Sequence, residues 1–330
     1  MNLANLGLLV GSLLLLTAGA ELLVRGSVAL ARRFGLSSFV IGLTIVGFGT
    51  STPELVTSLS AASHGQDDIA VGNVVGSNIF NIAVILGLAA LICPIPVRLQ
   101  AVRSEVWAVI LAAAAPWLAL IDDHRIGRVI GVLMFVALVL QIASSIRRGR
   151  ASGGDGDAMV AELDEVGAPI PVKRHGVWLP ILLVLCGLAL LVYGAGILVD
   201  SATVIARALG VSELAIALTI VAGGTSAPEL VTSVVAALRR QPEIAVGNVL
   251  GSNIFNIFGI LGITAAVRPQ AVSTQVLALD TPVMLAASLA LLPIVGSGAR
   301  ISRAEGLLLM IGYLGYLWVL FAYAPRWFGG

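Results

Sequence analysis

Gly49-Thr50-Ser51-Thr52-Pro53-Glu54-Leu55-Val56-Thr57-Ser58 recurs, with one substitution, as Gly224-Thr225-Ser226-Ala227-Pro228-Glu229-Leu230-Val231-Thr232-Ser233. Downstream of each copy stands a second phrase. It reads Val71-Gly72-Asn73-Val74-Val75-Gly76-Ser77-Asn78-Ile79-Phe80-Asn81 in the first half and Val246-Gly247-Asn248-Val249-Leu250-Gly251-Ser252-Asn253-Ile254-Phe255-Asn256 in the second. Both phrases are displaced by the same 175 residues, without a gap. The chain is therefore an internal duplication, and each copy sets a carboxylate, several hydroxyls and a proline inside a long apolar stretch.

The duplication reaches further at the same offset. Gly19-Ala20 matches Gly194-Ala195, Ala31-Arg32 matches Ala206-Arg207, and Leu43-Thr44-Ile45-Val46 matches Leu218-Thr219-Ile220-Val221. It covers at least the first three helices of each half. Beyond them the similarity fades while the hydropathy pattern persists.

Composition sets the environment. Of 330 residues, 58% are hydrophobic and only 11% charged, against about 25% charged in a soluble domain. Too few polar side chains exist to cover a surface in water, so most of that surface faces lipid. A net charge of +1 argues against a nucleic-acid partner. Cys93 and Cys186 lie in apolar segments at unrelated repeat positions, as free residues would rather than a disulfide. No Lys or Arg precedes the first apolar run, so that run reads as a retained span rather than a cleaved signal.

A span across a ~30 Å hydrocarbon core needs about 20 apolar residues. Ten stretches qualify: 3–30, 37–62, 69–93, 104–121 and 126–146, then 177–208, 212–237, 244–267, 275–296 and 302–323. The expected fold is an all-α polytopic membrane protein of ten transmembrane helices. Residues 1–146 form a first five-helix repeat, 147–176 a cytoplasmic linker, and 177–330 a second, inverted five-helix repeat. The linker is Gly-rich and charged, and its Asp155, Asp157, Glu162, Asp164 and Glu165 read as solvated.

Five spans per half is an odd number, so the second half enters the membrane in the opposite sense. That is the inverted-repeat plan of many secondary transporters. With the linker cytoplasmic and both termini outside, 14 of the 19 Lys and Arg residues fall on the cytoplasmic side and 5 outside, as the positive-inside bias requires. Asp67, Asp68, Asp122 and Asp123 then lie in external loops, read as solvated.

Glu54 and Glu229 are the carboxylates best placed inside the spans. Each costs at least ~2.5–3.5 kcal/mol at the bilayer centre, and two such costs at equivalent positions call for an offsetting interaction. A bound cation supplies one; a structural, hydrogen-bonded glutamate is the alternative. Thr50 and Glu54 are four apart, as are Thr225 and Glu229, Ser77 and Asn81, and Ser252 and Asn256, so each pair shares a helix face. Pro53 and Pro228 lack an N–H, which should kink or unwind the Gly-Thr-Ser turn before each. Irregular backbone at that depth is tolerated where it lines a cavity or is buried in protein. The donors are all oxygens, which suits a hard cation such as Ca²⁺. No Cys/His cluster favours a softer metal, and His64, His124 and His175 fall in loops or the linker. Gly72, Gly76, Gly247 and Gly251 form small-xxx-small pairs that allow close helix packing. Glu21 and Asp200 are not repeat-equivalent and read as packing or gating groups.

With these residues in view, Gly-Thr-Ser-x-Pro-Glu-Leu followed by Gly-Asn-x-x-Gly-Ser-Asn-Ile-Phe-Asn, both repeated, resembles the Ca²⁺:cation antiporter superfamily, in its prokaryotic sodium/calcium exchanger branch. The proton-coupled branch typically has Gly-Asn in place of Gly-Thr-Ser. The resemblance implies ten helices in two inverted repeats, with the second, third, seventh and eighth enclosing one site. It implies that the side chains of Thr50, Ser51, Glu54, Ser77 and Asn81, with Thr225, Ser226, Glu229, Ser252 and Asn256, ligate metal. It implies that the backbone carbonyls of Gly47 and Ala222 join Na⁺ sites and that the first and sixth helices slide to give alternating access. Some exchangers carry Asp where this chain has Asn256, so only Glu54 and Glu229 supply charge here. Proton-coupled relatives also carry two Asn, which keeps H⁺ as the alternative coupling ion.

The expected function is a secondary antiporter that exports Ca²⁺ in exchange for Na⁺, with no cofactor. Ca²⁺ and Na⁺ are its transported partners, the lipid bilayer its surroundings, and a monomer suffices. A cation channel fits the oxygen-rich site but not the inverted repeat. An enzyme finds no Ser/His/Asp, paired-Asp or metal-His constellation, and an ATP-driven pump finds no nucleotide loop. The expected location is the cell membrane.

Overall fold

The structure is a computed structural model that describes residues 3–97, 99–151, 177–208, 222–296 and 300–322. Most of the 147–176 linker with its acidic cluster and His175, the repeat match at 218–221, and the start of the 212–237 span lie outside the described residues.

The described chain is helical. Its helices are α1 (Leu3–Phe34), α2 (Ser38–Thr50), α3 (Thr52–Ser63), α4 (Asp67–Ile92), α5 (Leu99–Ile121), α6 (Arg128–Ala151), α7 (Trp178–Ala208), α8 (Ala222–Thr225), α9 (Ala227–Leu238), α10 (Pro242–Val267), α11 (Val276–Gly296) and α12 (Arg303–Ala322). Among the described residues, eight helices are long and apolar enough to cross a membrane, and the broken pair of α2 and α3 makes a ninth. The span expected at 212–237 is described only in its second part, where α9 lies. Leu14, Val129, Leu133, Leu308 and Leu314 are exposed on the helices, which is the surface a hydrocarbon phase accepts. The helices carrying the repeated phrases are different. Two-thirds of the apolar window of α4 is buried, and 83% of that of α10, against 11% for α12.

The chain forms two compact units, each drawing on both halves of the duplication: residues 1–53 with 144–248, and 54–143 with 249–330. In the first, α1 packs along α7. The crossing is close because glycines meet there. A Cβ at Gly19 would stand 2.9 Å from the carbonyl oxygen of Gly187.

In the second unit the duplication becomes visible as geometry. Two short antiparallel ladders pair β1 (Ile95–Pro96) with β4 (Arg300–Ile301) and β2 (Arg125–Ile126) with β3 (Gln270–Ala271). Ile95 faces Ile301 and Ile126 faces Gln270, so moving each partner by the repeat offset turns one ladder into the other. Helix crossings obey the same exchange. Gly87 meets the carbonyl of Gly306 where α4 crosses α12, and Gly131 meets that of Gly262 where α6 crosses α10. A reciprocal relation of this kind is what a two-fold axis produces.

Among the packing glycines expected from sequence, Gly247 is such a contact. A Cβ there would lie 2.4 Å from the carbonyl oxygen of Phe39. A Cβ at Gly72 or Gly76 would meet nothing within 4 Å beyond its own helix backbone, so neither is a close helix contact among the described residues. Gly42 packs on the Ile244–Asn248 turn, and its repeat mate is Ala217, outside the described residues. Cys93 and Cys186 are both free.

Candidate functional site

The repeated phrase with the proline breaks its helix in both copies. Ser51 leaves helical geometry at φ −81°, ψ 9°, and Ser226 does so at φ −86°, ψ 9°. At Ser51 the helix bends by 43°. The cause is the proline two residues on, which cannot donate to the preceding turn.

Glycine begins the phrase for a packing reason. A Cβ on Gly49 would lie 2.5 Å from Cδ2 of Leu188, and one on Gly224 would lie 2.1 Å from Cγ2 of Val199. Both neighbours belong to α7, which presses on the two copies at different heights.

The first unit holds Gly47, Thr50, Ser51, Ala222, Thr225, Ser226 and Glu229 of the predicted ligands. Thr50, Ser51, Ser226 and Glu229 are buried and Thr225 is half-buried. The fold brings residues from the two halves together here. Ser51 Oγ donates to Glu229 Oε1 at 2.8 Å. Thr50 Oγ1 lies 3.1 Å from Asn248 Oδ1. Asn248 in turn donates to Ser233 Oγ at 2.9 Å and to the Glu229 carbonyl at 3.3 Å.

The second unit holds Glu54, Ser77, Asn81, Ser252 and Asn256, all buried. Asn73 donates to Ser58 Oγ at 2.9 Å and to the Glu54 carbonyl at 3.4 Å. This reproduces the Asn248 arrangement residue for residue, so each glutamate turn is clamped by the asparagine 19 positions on. Asn81 opens a π-helical turn (Asn81–Leu86), and Asn256 stands in another (Phe255–Leu261). Such turns loosen the regular ladder and recur at functional sites. Neither amide atom of Asn81 has a hydrogen-bond partner among the described residues, nor does Asn256 Oδ1. An unpaired buried amide costs about 1–3 kcal/mol, and a cation ligand is one use for an oxygen left so.

The donors are carboxylate, hydroxyl, amide and carbonyl oxygens. No cluster of three or more His, Cys, Asp or Glu exists among the described residues. That set fits a hard cation held largely by neutral oxygens.

Sequence reasoning missed three things. The clamping role of Asn73 and Asn248 went unread although both stand in the repeated phrase. The sequence by itself assigns Asn78 no role. A second pair of buried carboxylates, Glu105 and Asp280, also lies at the repeat offset, so the duplication reaches the fourth helix of each half. Ser104 donates to Glu105 at 2.7 Å, and Tyr316 donates to Asp280 at 3.0 Å. Gln100 and Gln275, five residues ahead of each, were the available signal.

Other expectations are corrected in part. Asp67 is no solvated loop residue. It is the first residue of α4 and accepts from the Ala271 N–H at 3.1 Å, with Arg268 3.9 Å away. Asp68 is exposed as expected. Glu21 pairs with Arg25 and, at 2.8 Å, with Arg239 at the end of α9, whereas Asp200 is exposed.

Comparison with known proteins gives the same pattern. The family described as "Sodium/calcium exchanger protein" matches residues 4–147 and again 179–322, the two matches standing one repeat offset apart. CaxA of Alkalimonas amylolytica is 38% identical over 98% of this chain and 100% of its own length. The sodium/calcium exchanger MaX1 of Methanosarcina acetivorans is 33% identical over 96% of this chain and 98% of its own. A solved structure of the sodium-calcium exchanger NCX_Mj superposes with a TM-score of 0.81 at 30% identity, covering 97% of this chain and all of that one.

Proposed function

This chain belongs to the sodium/calcium exchanger protein family, and from that premise we propose that it exports Ca²⁺ in exchange for Na⁺ by alternating access. It is a multi-span membrane antiporter and not an enzyme. The observation that carries the finer reading is the pair Glu54 and Glu229, equivalent in the duplication and both buried within apolar stretches. The cost of placing each there is offset by a transported cation.

The ligands are Glu54 and Glu229 with Thr50, Ser51, Thr225, Ser226, Ser77, Ser252, Asn81 and Asn256, and the carbonyls of Gly47 and Ala222. Two carboxylates balance one Ca²⁺ or two Na⁺. Because the two ions compete for overlapping oxygens, occupancy by one excludes full occupancy by the other, which is what couples their fluxes. The repeats 1–146 and 177–330 run in opposite senses across the cell membrane, with both termini outside and the 147–176 linker cytoplasmic. The positive-inside bias and the reciprocal ladders support that arrangement. The first and sixth helices, α1 and α7, slide to switch access.

One observation favours a second reading. Asn81 and Asn256 are both neutral, as in proton-coupled relatives, which makes H⁺ the competing coupling ion. Ca²⁺ uptake into inside-out vesicles separates the two. An imposed Na⁺ gradient drives uptake under the leading reading. Uptake driven by a pH gradient and indifferent to Na⁺ selects the other.

A further inference from the structure

The duplicated phrase is symmetric in sequence, but one of its hydrogen-bonding pairs is not. Asn78 and Asn253 are equivalent, yet they do different things. Asn253 donates to the carbonyl of Val249, one turn back in its own helix. Asn78 instead reaches from α4 to α10. Its Nδ2 donates to the backbone carbonyl of Asn253 at 3.1 Å, and its Oδ1 accepts from Nδ2 of Asn256 at 3.0 Å.

The orientation of both amides follows from that one carbonyl. A backbone carbonyl only accepts, so Asn78 must turn its NH₂ toward Asn253. Its oxygen is then fixed toward Asn256, which must answer with its own NH₂. The Asn256 oxygen is thereby turned away, where it has no partner among the described residues. Asn81, the repeat mate of Asn256, has no such guide, and both of its amide atoms are without partners among the described residues.

We infer that Asn78 is a positioning residue for ion binding, which rests on the site reading above. It presets Asn256 as a neutral, oxygen-first ligand, while Asn81 is left to adapt to the bound ion. It also sets what position 256 accepts. An aspartate there would hold an oxygen against Asn78 Oδ1, so the fixed amide favours asparagine and keeps the charge of the site on the two glutamates.

The test is a double-mutant cycle on the full chain in proteoliposomes, read as KM and kcat for Na⁺-driven ⁴⁵Ca²⁺ uptake. Asn78→Leu raises the Ca²⁺ KM about three- to tenfold, the scale of one lost hydrogen bond, with kcat little changed. Asn256→Ala raises KM as well. In the Asn256→Ala background, Asn78→Leu adds nothing further, because it has no amide left to orient. Full additivity of the two effects on KM, or an Asn78→Leu effect confined to kcat, overturns the inference while leaving the site in place. An unchanged KM in Asn256→Ala instead removes Asn256 from the ligands, and with it the premise. Asn78→Ala repeats the cycle should the leucine variant misfold. Misfolding of both, with Asn256→Ala folded, makes Asn78 a structural residue and overturns the proposal too.

Discussion

Ser51 Oγ donates to Glu229 Oε1 across 2.8 Å, although the two residues stand 178 apart in the chain. The bond joins the first copy of the phrase to the carboxylate of the second. A hydroxyl so placed holds one carboxylate oxygen and leaves the orientation of the other to the rest of the site. Ser51→Ala therefore raises the Ca²⁺ KM by about tenfold, the scale of a hydrogen bond to a charged group. Initial rates of ⁴⁵Ca²⁺ uptake against Ca²⁺ concentration check it, and a KM within twofold of wild type contradicts it.

The two clamping asparagines are equivalent in sequence but unequal in burial. Asn248 is fully buried and also receives Thr50, whereas Asn73 is half-buried. Asn248→Ala leaves its partners unpaired where no water reaches them, at about 1–3 kcal/mol, whereas water can replace part of what Asn73→Ala removes. Thermal unfolding in detergent should place Asn248→Ala below Asn73→Ala, and the reverse order counts against the argument.

Gly224 has room for no side chain. A methyl group there meets Val199 at 2.1 Å, and overpacking costs about 1–3 kcal/mol. Gly224→Ala lowers the unfolding temperature, and adding Val199→Ala restores most of the loss. A double variant no better than the single one shows that the clash is not the cause.

Glu21 and Arg239 form an ion pair with both side chains partly in contact with the surroundings, at 20% and 56% exposure. Exposed pairs contribute about 0–1 kcal/mol. Glu21→Gln leaves the unfolding temperature nearly unchanged, and a drop of more than a few degrees assigns the pair a larger structural part.

The duplication and its chemistry were legible because apolar context makes polar residues conspicuous. Glu54 and Glu229 stand out among Leu and Val, and the prolines announce the break observed at Ser51 and Ser226. Contacts across the repeat were not legible. Nothing in the spacing of Ser51 and Glu229, or of Asn78 and Asn256, says that they meet, since such pairs depend on how separate helices pack. Glu105 and Asp280 show a different limit. They differ in side-chain length, and their neighbours Val106 and Thr281, or Ser104 and Leu279, share nothing, so Gln100 and Gln275 are a thin signal of the offset.

The central claim is that Glu54 and Glu229 carry the transported cation. Each should be replaced by glutamine, which keeps shape and removes charge, and Na⁺-driven ⁴⁵Ca²⁺ uptake measured in vesicles holding equal amounts of folded protein. The account predicts loss of uptake in Glu54→Gln and in Glu229→Gln separately. Uptake at the wild-type rate in either folded variant would contradict it.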